Sequence, residues 1–190
     1  MNIDESKSAL RNRTLAELKQ LDGLKREVLS AQSRAILCAQ PIWLQAQAIL
    51  FYAPRKDELD VWPLVQTALT AGKRVFLPRY QPEDDAYCVS EISDPSKDLV
   101  PGRYSIPEPA SHCLSFSLKP LDLLLVPGVA FDLLGRRLGR GKGYYDRMLA
   151  TPGGVRCGVG FDEQIVSEIP VDPHDAHLNC ILTPTRWLQF

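Results

Sequence analysis

The stretch that decides the reading runs from Leu121 to Arg147: Leu121-Asp122-Leu123-Leu124-Leu125-Val126, then Pro127-Gly128-Val129-Ala130-Phe131-Asp132-Leu133-Leu134-Gly135-Arg136-Arg137-Leu138, then Gly139-Arg140-Gly141-Lys142-Gly143-Tyr144-Tyr145-Asp146-Arg147. The apolar run with one acid reads as a buried strand, which Pro127-Gly128 ends. A glycine-rich cationic loop follows and opens a short helix from Tyr144 to about Ala150. Glycines at 139, 141 and 143 permit positive φ, so successive N–H groups can face one anion, and Arg137, Arg140 and Lys142 add charge. The N-terminal end of the helix would point at the same anion. The Walker spacing is absent, since Tyr144 stands where a hydroxyl ligand to magnesium would be needed. Read from residues alone, the loop is a phosphate site or a surface turn of solvated arginines.

Outward from this loop the chain alternates helix and strand. Helices are expected from Ser6, as a possible N-cap, to Leu21; from Leu24 to Ala39; and after a capping Asp60, with Pro63 in the first turn and Gly72 as the stop. Strands are expected at Gln47–Ala53, Lys73–Arg79, Tyr87–Ile92, Leu121–Val126, Val155–Phe161 and Cys180–Leu182, with a short helix at Gln164–Glu168. This pattern gives an α/β domain with a mainly parallel sheet covered on both faces, one domain spanning residues 1–190. Lys7 and Arg11, four apart, share a helix face that is either solvated or ligand-binding. Lys56-Asp57-Glu58-Leu59-Asp60 lies at the carboxyl end of a strand, where open α/β sheets place ligands.

With 45% apolar and 24% charged residues, the 190-residue chain can bury a substantial core. A net charge of −1 gives no electrostatic case for nucleic-acid binding, while the local cations suit a small anionic ligand. No apolar run is long enough for a membrane span and no secretory signal is legible, so a soluble cytoplasmic protein is expected, with a monomer as the simplest state. Five cysteines without a Cys-x-x-Cys pair argue for reduced packing residues over disulfides or a zinc site. His174 and His177 are three apart, but Pro173 and the lack of a third ligand nearby argue against a transition metal there.

The run from Pro127 to Asp132, with Gly135 and Arg137 to Arg147, resembles the signature of the 5-formyltetrahydrofolate cyclo-ligase family, also called 5,10-methenyltetrahydrofolate synthetases. The resemblance implies a three-layer α/β/α fold similar to sugar-phosphate isomerases and coenzyme A transferases. It implies ATP- and Mg2+-dependent conversion of 5-formyltetrahydrofolate to 5,10-methenyltetrahydrofolate, with release of ADP and phosphate. It assigns ATP to Lys7, Arg11, Arg137, Leu138, Gly139, Arg140, Gly141, Lys142, Gly143, Tyr144 and Tyr145, with Arg140, Lys142 and Tyr145 acting on the reacting groups. The folate falls to Ala53 and Glu58, and magnesium to Asp146 and Asp175. Gly102 to Pro109 resembles an element bordering the substrate, where Tyr104 or Ile106 would wall a pterin ring or belong to an ordered surface loop. Asn179 departs from an aspartate common in the family. A non-catalytic nucleotide-binding protein and a sugar-phosphate isomerase remain the alternatives, and ATP dependence separates the latter.

Overall fold

The structure is a computed structural model that describes residues 3–170, 172 and 176–190. Its centre is an eight-stranded sheet in the order Trp187–Gln189, Cys180–Leu182, Val155–Val159, Leu123–Pro127, Ala48–Leu50, Arg74–Gln81, Ala86–Ile92, Ser115–Phe116. The five strands from Cys180–Leu182 to Arg74–Gln81 pair in parallel. Both edges turn antiparallel, through the hairpin that pairs Arg74–Gln81 with Ala86–Ile92 and through the Trp187–Gln189 strand.

The Leu123–Pro127 strand is buried at every position, as a central parallel strand must be, so its side chains divide between two cores. Leu123 and Leu125 join Ile49, Val75 and Leu182 against Leu18, Leu37, Trp43 and Leu64 of the helices Ile3–Leu18, Gly23–Cys38, Pro41–Gln45 and Pro63–Thr70. Leu124 and Val126 face the other way, onto Phe131, Met148 and Leu149, so the Tyr144–Leu149 helix and its loops form a thinner second layer.

Several local expectations shift. The first helix starts at Ile3, and Ser6 lies inside it. Asp60 does not cap the third long helix, because its Oδ1 accepts from the Trp62 amide at 2.8 Å in a turn before it; Trp62 is the N-cap. Gly72 does stop that helix, with φ +74° and its N–H on the Leu69 carbonyl. The helix expected at Gln164–Glu168 is a single 3-10 turn, Asp162–Gln164, followed by a strand, Ile165–Val166, that pairs with Ala130–Asp132. Its apolar spacing fits either structure, and pairing with a neighbouring segment decides it.

Candidate functional site

The parallel strands present their carboxyl ends on one side, and there a cleft of about 320 Å³ opens between Ala53, Glu58, Pro127, Arg140, Tyr145 and Ile106 among others. That is where an open α/β sheet binds ligands.

Its floor is held by buried polar contacts. Gln164, 2% exposed, donates to the carbonyls of Gly128 and Val129 at 2.7 and 3.1 Å and accepts from the Phe161 amide at 2.7 Å. Asp132 is fully buried and accepts from the amides of Leu134, Arg136 and Ile169, which fixes the turn leading into the glycine loop.

In that loop Gly141 and Gly143 take positive φ, +91° and +66°, as expected. Gly139 does not: its role is space, since a Cβ there would lie 3.0 Å from the Arg137 guanidinium. Gly143 is the N-cap of a six-residue helix, so the cations, more than a long helix dipole, set the local charge. Arg137 has a side chain only 3% exposed; it donates to the Pro127 carbonyl at 3.1 Å and to Asp146 Oδ1 at 2.6 Å, while its buried Nε has no acceptor. Leu138 is core, its carbonyl accepting from Val129 N at 2.7 Å. Lys142 is exposed, lines the cleft, and its ammonium makes no ion pair among the described residues.

The first helix meets this loop. Lys7 is buried on the same stripe as Thr14 and Leu18, and Arg11 is half-buried, so the pair is not a fully solvated face. Arg11 Nε donates to the Gly139 carbonyl at 2.8 Å, and Gly141 leaves room for the same guanidinium, since a Cβ there would be 3.4 Å from Arg11 Cζ. Lys7 is 7% exposed and its ammonium lies 2.7 Å from Asp172.

Opposite, the loop after the Ala48–Leu50 strand closes on itself. Tyr52 Oη donates to the Leu59 carbonyl at 2.6 Å, and the Arg55 amide donates to Glu58 Oε2 at 3.0 Å. Arg140 crosses the cleft to this loop, with Nη2 2.8 Å from Asp57 Oδ2 and 3.4 Å from Glu58 Oε1. Burial raises the Glu58 pKa, against the Arg55 amide and Arg140, whereas the Arg140 hydrogen bond carries Asp57 below the ordinary value against its own desolvation.

The third wall is the 102–109 segment, with both Tyr104 and Ile106 at the cleft. Glu108, 6% exposed, accepts from the Tyr80 and Arg103 amides at 2.9 and 3.1 Å, and Gly102 leaves it the space. Tyr104 and Ser105 both sit at φ +59°, a strained pair of non-glycine residues costing about 1–3 kcal/mol each. Asp85, at the hairpin tip, accepts from Tyr80 Oη (2.7 Å), Tyr144 Oη (3.0 Å) and Arg103 Nη1 (3.2 Å), tying this wall to the helix after the glycine loop. Burial pushes the phenols of Tyr52 and Tyr145 up and that of Tyr87 to about 12.

Sequence reasoning missed Asp57, Asp85, Arg103 and Glu108 as parts of the site. The Glu-Pro that repeats a family element was the signal for Glu108, the same segment pointed to Arg103 and the polar loop at a strand's carboxyl end to Asp57, without naming either side chain, and nothing local marks Asp85. For magnesium, Asp146 fits in part: Oδ1 is held by Arg137, and Oδ2 has no hydrogen bond among the described residues, leaving one hard oxygen beside the cleft. Asp175 lies outside the described residues. Asn179 has a structural task, its Oδ1 accepting from the Arg156 amide at 2.9 Å.

Taken together, the fold and cleft define an α/β enzyme with a cationic, glycine-rich loop facing an apolar-walled pocket. The sequence profile of the 5-formyltetrahydrofolate cyclo-ligase family matches residues 3–184, and the chain belongs to that family. It is 31% identical over 166 residues to the 5-formyltetrahydrofolate cyclo-ligase of Escherichia coli K12, covering 85% of this chain and 91% of that one. The cyclo-ligase of Mycolicibacterium smegmatis is 32% identical over 188 residues, with 95% of each chain covered. The solution structure of Aquifex aeolicus 5,10-methenyltetrahydrofolate synthetase superposes with a TM-score of 0.86 at 32% identity, over 96% of this chain and 92% of that one.

Proposed function

We propose that this cleft carries out the ATP-dependent cyclisation of 5-formyltetrahydrofolate to 5,10-methenyltetrahydrofolate, with Mg2+. The observation that carries the reading is Arg140, which bridges the glycine loop and the carboxylates of Asp57 and Glu58 across one cleft. A phosphate donor on the first side and a folate on the second would then meet at that guanidinium.

The formyl oxygen attacks the γ-phosphorus of ATP, the bond to ADP breaks, N10 adds to the activated carbon, and the N10 proton leaves with the departing phosphate as the ring closes to the methenyl cation. This needs positioning and charge neutralisation more than a protein nucleophile. Lys142 and Arg140 meet the transferring phosphoryl oxygens, Tyr144 and the amides of the glycine loop hold the nucleotide, and Lys7 and Arg11 hold its phosphate tail. Arg137 presets Asp146, Tyr145 lies by the reacting groups, Glu58 and Ala53 orient the folate, and Tyr104 and Ile106 wall the pterin from water. Mg2+, held by Asp146 and Asp175, would neutralise phosphate charge. Purified protein mixed with 5-formyltetrahydrofolate, ATP and Mg2+ should develop the methenyl absorbance. Equal product without ATP would sink the reading.

A further inference from the structure

A second cluster of donor atoms lies apart from the cleft. Asp98 ends the one-turn helix Pro95–Asp98, and His112 and Cys113 follow the short strand Pro107–Pro109. One ligand atom from each of the three lies within 4.8 Å of the other two, and none of the three lines the cleft. We propose that Asp98, His112 and Cys113 form a site for a borderline divalent cation of the Zn2+ or Co2+ type.

The arrangement is prepared for a ligand in ways that an exposed ion pair is not. Asp98 Oδ2 accepts from the Ser93 and Asp94 amides at 2.7 and 2.9 Å and from Ser93 Oγ at 3.2 Å, which locks the carboxylate and leaves Oδ1 turned to His112 Nε2 at 3.1 Å. Orienting contacts of this kind are what metal ligands carry behind them.

The backbone bearing the sulfur is equally fixed. Ala110 N donates to the Asp98 carbonyl at 2.8 Å, Cys113 N to the Ala110 carbonyl at 3.0 Å, and Arg79 Nη1 to the carbonyls of Ala110 and Cys113 at 2.9 and 3.0 Å. The buried Cys113 thiol has only a weak contact, 3.6 Å to the Asp98 carbonyl, to give up. The exposed His112 gives an ion a route in from solvent.

On binding, the Asp98–His112 hydrogen bond opens, neutral imidazole ligates through Nε2, and the Cys113 thiol releases its proton to solvent. Carboxylate and thiolate together balance the 2+ charge, and water takes the fourth, open position of a tetrahedral site. A thiolate–imidazole–carboxylate set selects Zn2+ or Co2+ over Mg2+, so this site and the Mg2+ proposed at Asp146 do not compete for one ion. The sequence hides it: there is no Cys-x-x-Cys, and Asp98 is brought to His112 by the intervening strand pairing of Leu99–Pro101 with Pro107–Pro109.

The test is a Co2+ titration of the purified 190-residue chain, free of metal. A near-ultraviolet thiolate-to-cobalt band should saturate at one ion per chain, with release of a proton into weakly buffered indicator. Zn2+ should abolish the band, and excess Mg2+ should leave it. Cys113→Ser should remove the band, His112→Ala should weaken binding at least about tenfold, and Cys88→Ser should keep it, with thermal scans confirming folded variants. The proposal is overturned if wild type shows neither band nor proton release, if the band survives Cys113→Ser in folded protein, or if His112→Ala binds as wild type does.

Discussion

Arg137 and Asp146 form an ion pair at 2.6 Å in which the arginine side chain is 3% exposed and the aspartate 22%. The pair links the short strand Arg137–Leu138, which pairs with Ala130–Asp132, to the helix after the glycine loop, so one carboxylate serves structure through Oδ1 and leaves Oδ2 beside the cleft. Two effects should therefore follow from Asp146→Asn. Removing the charge opposite a buried arginine should cost roughly 2 kcal/mol, less than the about 3–5 kcal/mol for deleting a buried partner, because the amide oxygen still accepts. The Mg2+ concentration for half-maximal rate should also rise. A thermal scan and a Mg2+ titration of Asp146→Asn, Asp175→Asn and the double variant check this, and a shared ion requires the double to cost less than the sum of the singles. A lowered melting temperature with unmoved Mg2+ midpoints would leave Asp146 structural only.

Lys142 differs from its neighbours in having no ion partner among the described residues. With no ion pair among the described residues to lose, Lys142→Ala should leave the melting temperature nearly where it is. A charged hydrogen bond to phosphate is worth about 1.5–3 kcal/mol, which corresponds to roughly a ten- to hundredfold loss in kcat/KM for ATP. Steady-state kinetics with ATP varied and folate saturating reads this, and unchanged ATP constants would remove Lys142 from the site.

The legible part of the fold is what local pattern encodes. The Leu121–Val126 run carries its own burial and the interleaved glycines announce a loop, whereas the spacing of Lys7 and Arg11 leaves their surroundings open until the packing of the first helix decides them. What escapes is set by residues distant in the chain. The acceptor role of Asp85 depends on Tyr80, Arg103 and Tyr144 meeting at a hairpin tip, and Arg140 finds Asp57 across 83 positions. Ile165–Val166 becomes a strand because Phe131 and Asp132 offer a ladder, and the Ile169 amide goes to Asp132 and not to a helical carbonyl.

Gly102 and Glu108 are coupled by space. A Cβ at Gly102 would sit 2.3 Å from Glu108 Cδ and 2.4 Å from Cγ, and Glu108 could yield only by dropping the Tyr80 and Arg103 amides. Gly102→Ala should cost about 1–3 kcal/mol and raise KM for the folate as the Tyr104 wall loosens. The same alanine introduced into a Glu108→Ala background should cost clearly less, since the clash is gone. Chemical denaturation of the four species measures the coupling, and additive losses would show that Glu108 does not fill the space Gly102 provides.

Glu58 sets a pH-dependent trade between stability and substrate handling. Burial is the largest influence on it and raises its pKa above the ordinary 4.5, with the Arg55 amide and Arg140 opposing. Between 4.5 and the raised folded value the native state holds the proton more tightly than the unfolded chain, so wild-type stability from this group is present at acid pH and falls as pH rises through that window. Above it the ionised, partly desolvated carboxylate destabilises the native state. The amide of the Glu58→Gln variant cannot ionise, so the melting temperature of that variant relative to wild type should be more favourable at pH 7 than at pH 4. Function should move the other way: if Glu58 orients the folate as proposed, losing its carboxylate should lower kcat/KM for 5-formyltetrahydrofolate by roughly ten- to hundredfold, from about 1.5–3 kcal/mol of charged hydrogen bonding. Affinity for a non-hydrolysable ATP analogue should hold, because Asp57 still pairs with Arg140 at 2.8 Å and keeps the glycine loop in place. Melting scans at several pH values, steady-state kinetics and calorimetric titration together decide it. A melting difference that does not change with pH would contradict the raised pKa, and equal losses for folate and nucleotide would mean that Glu58 holds the cleft together instead of holding its substrate.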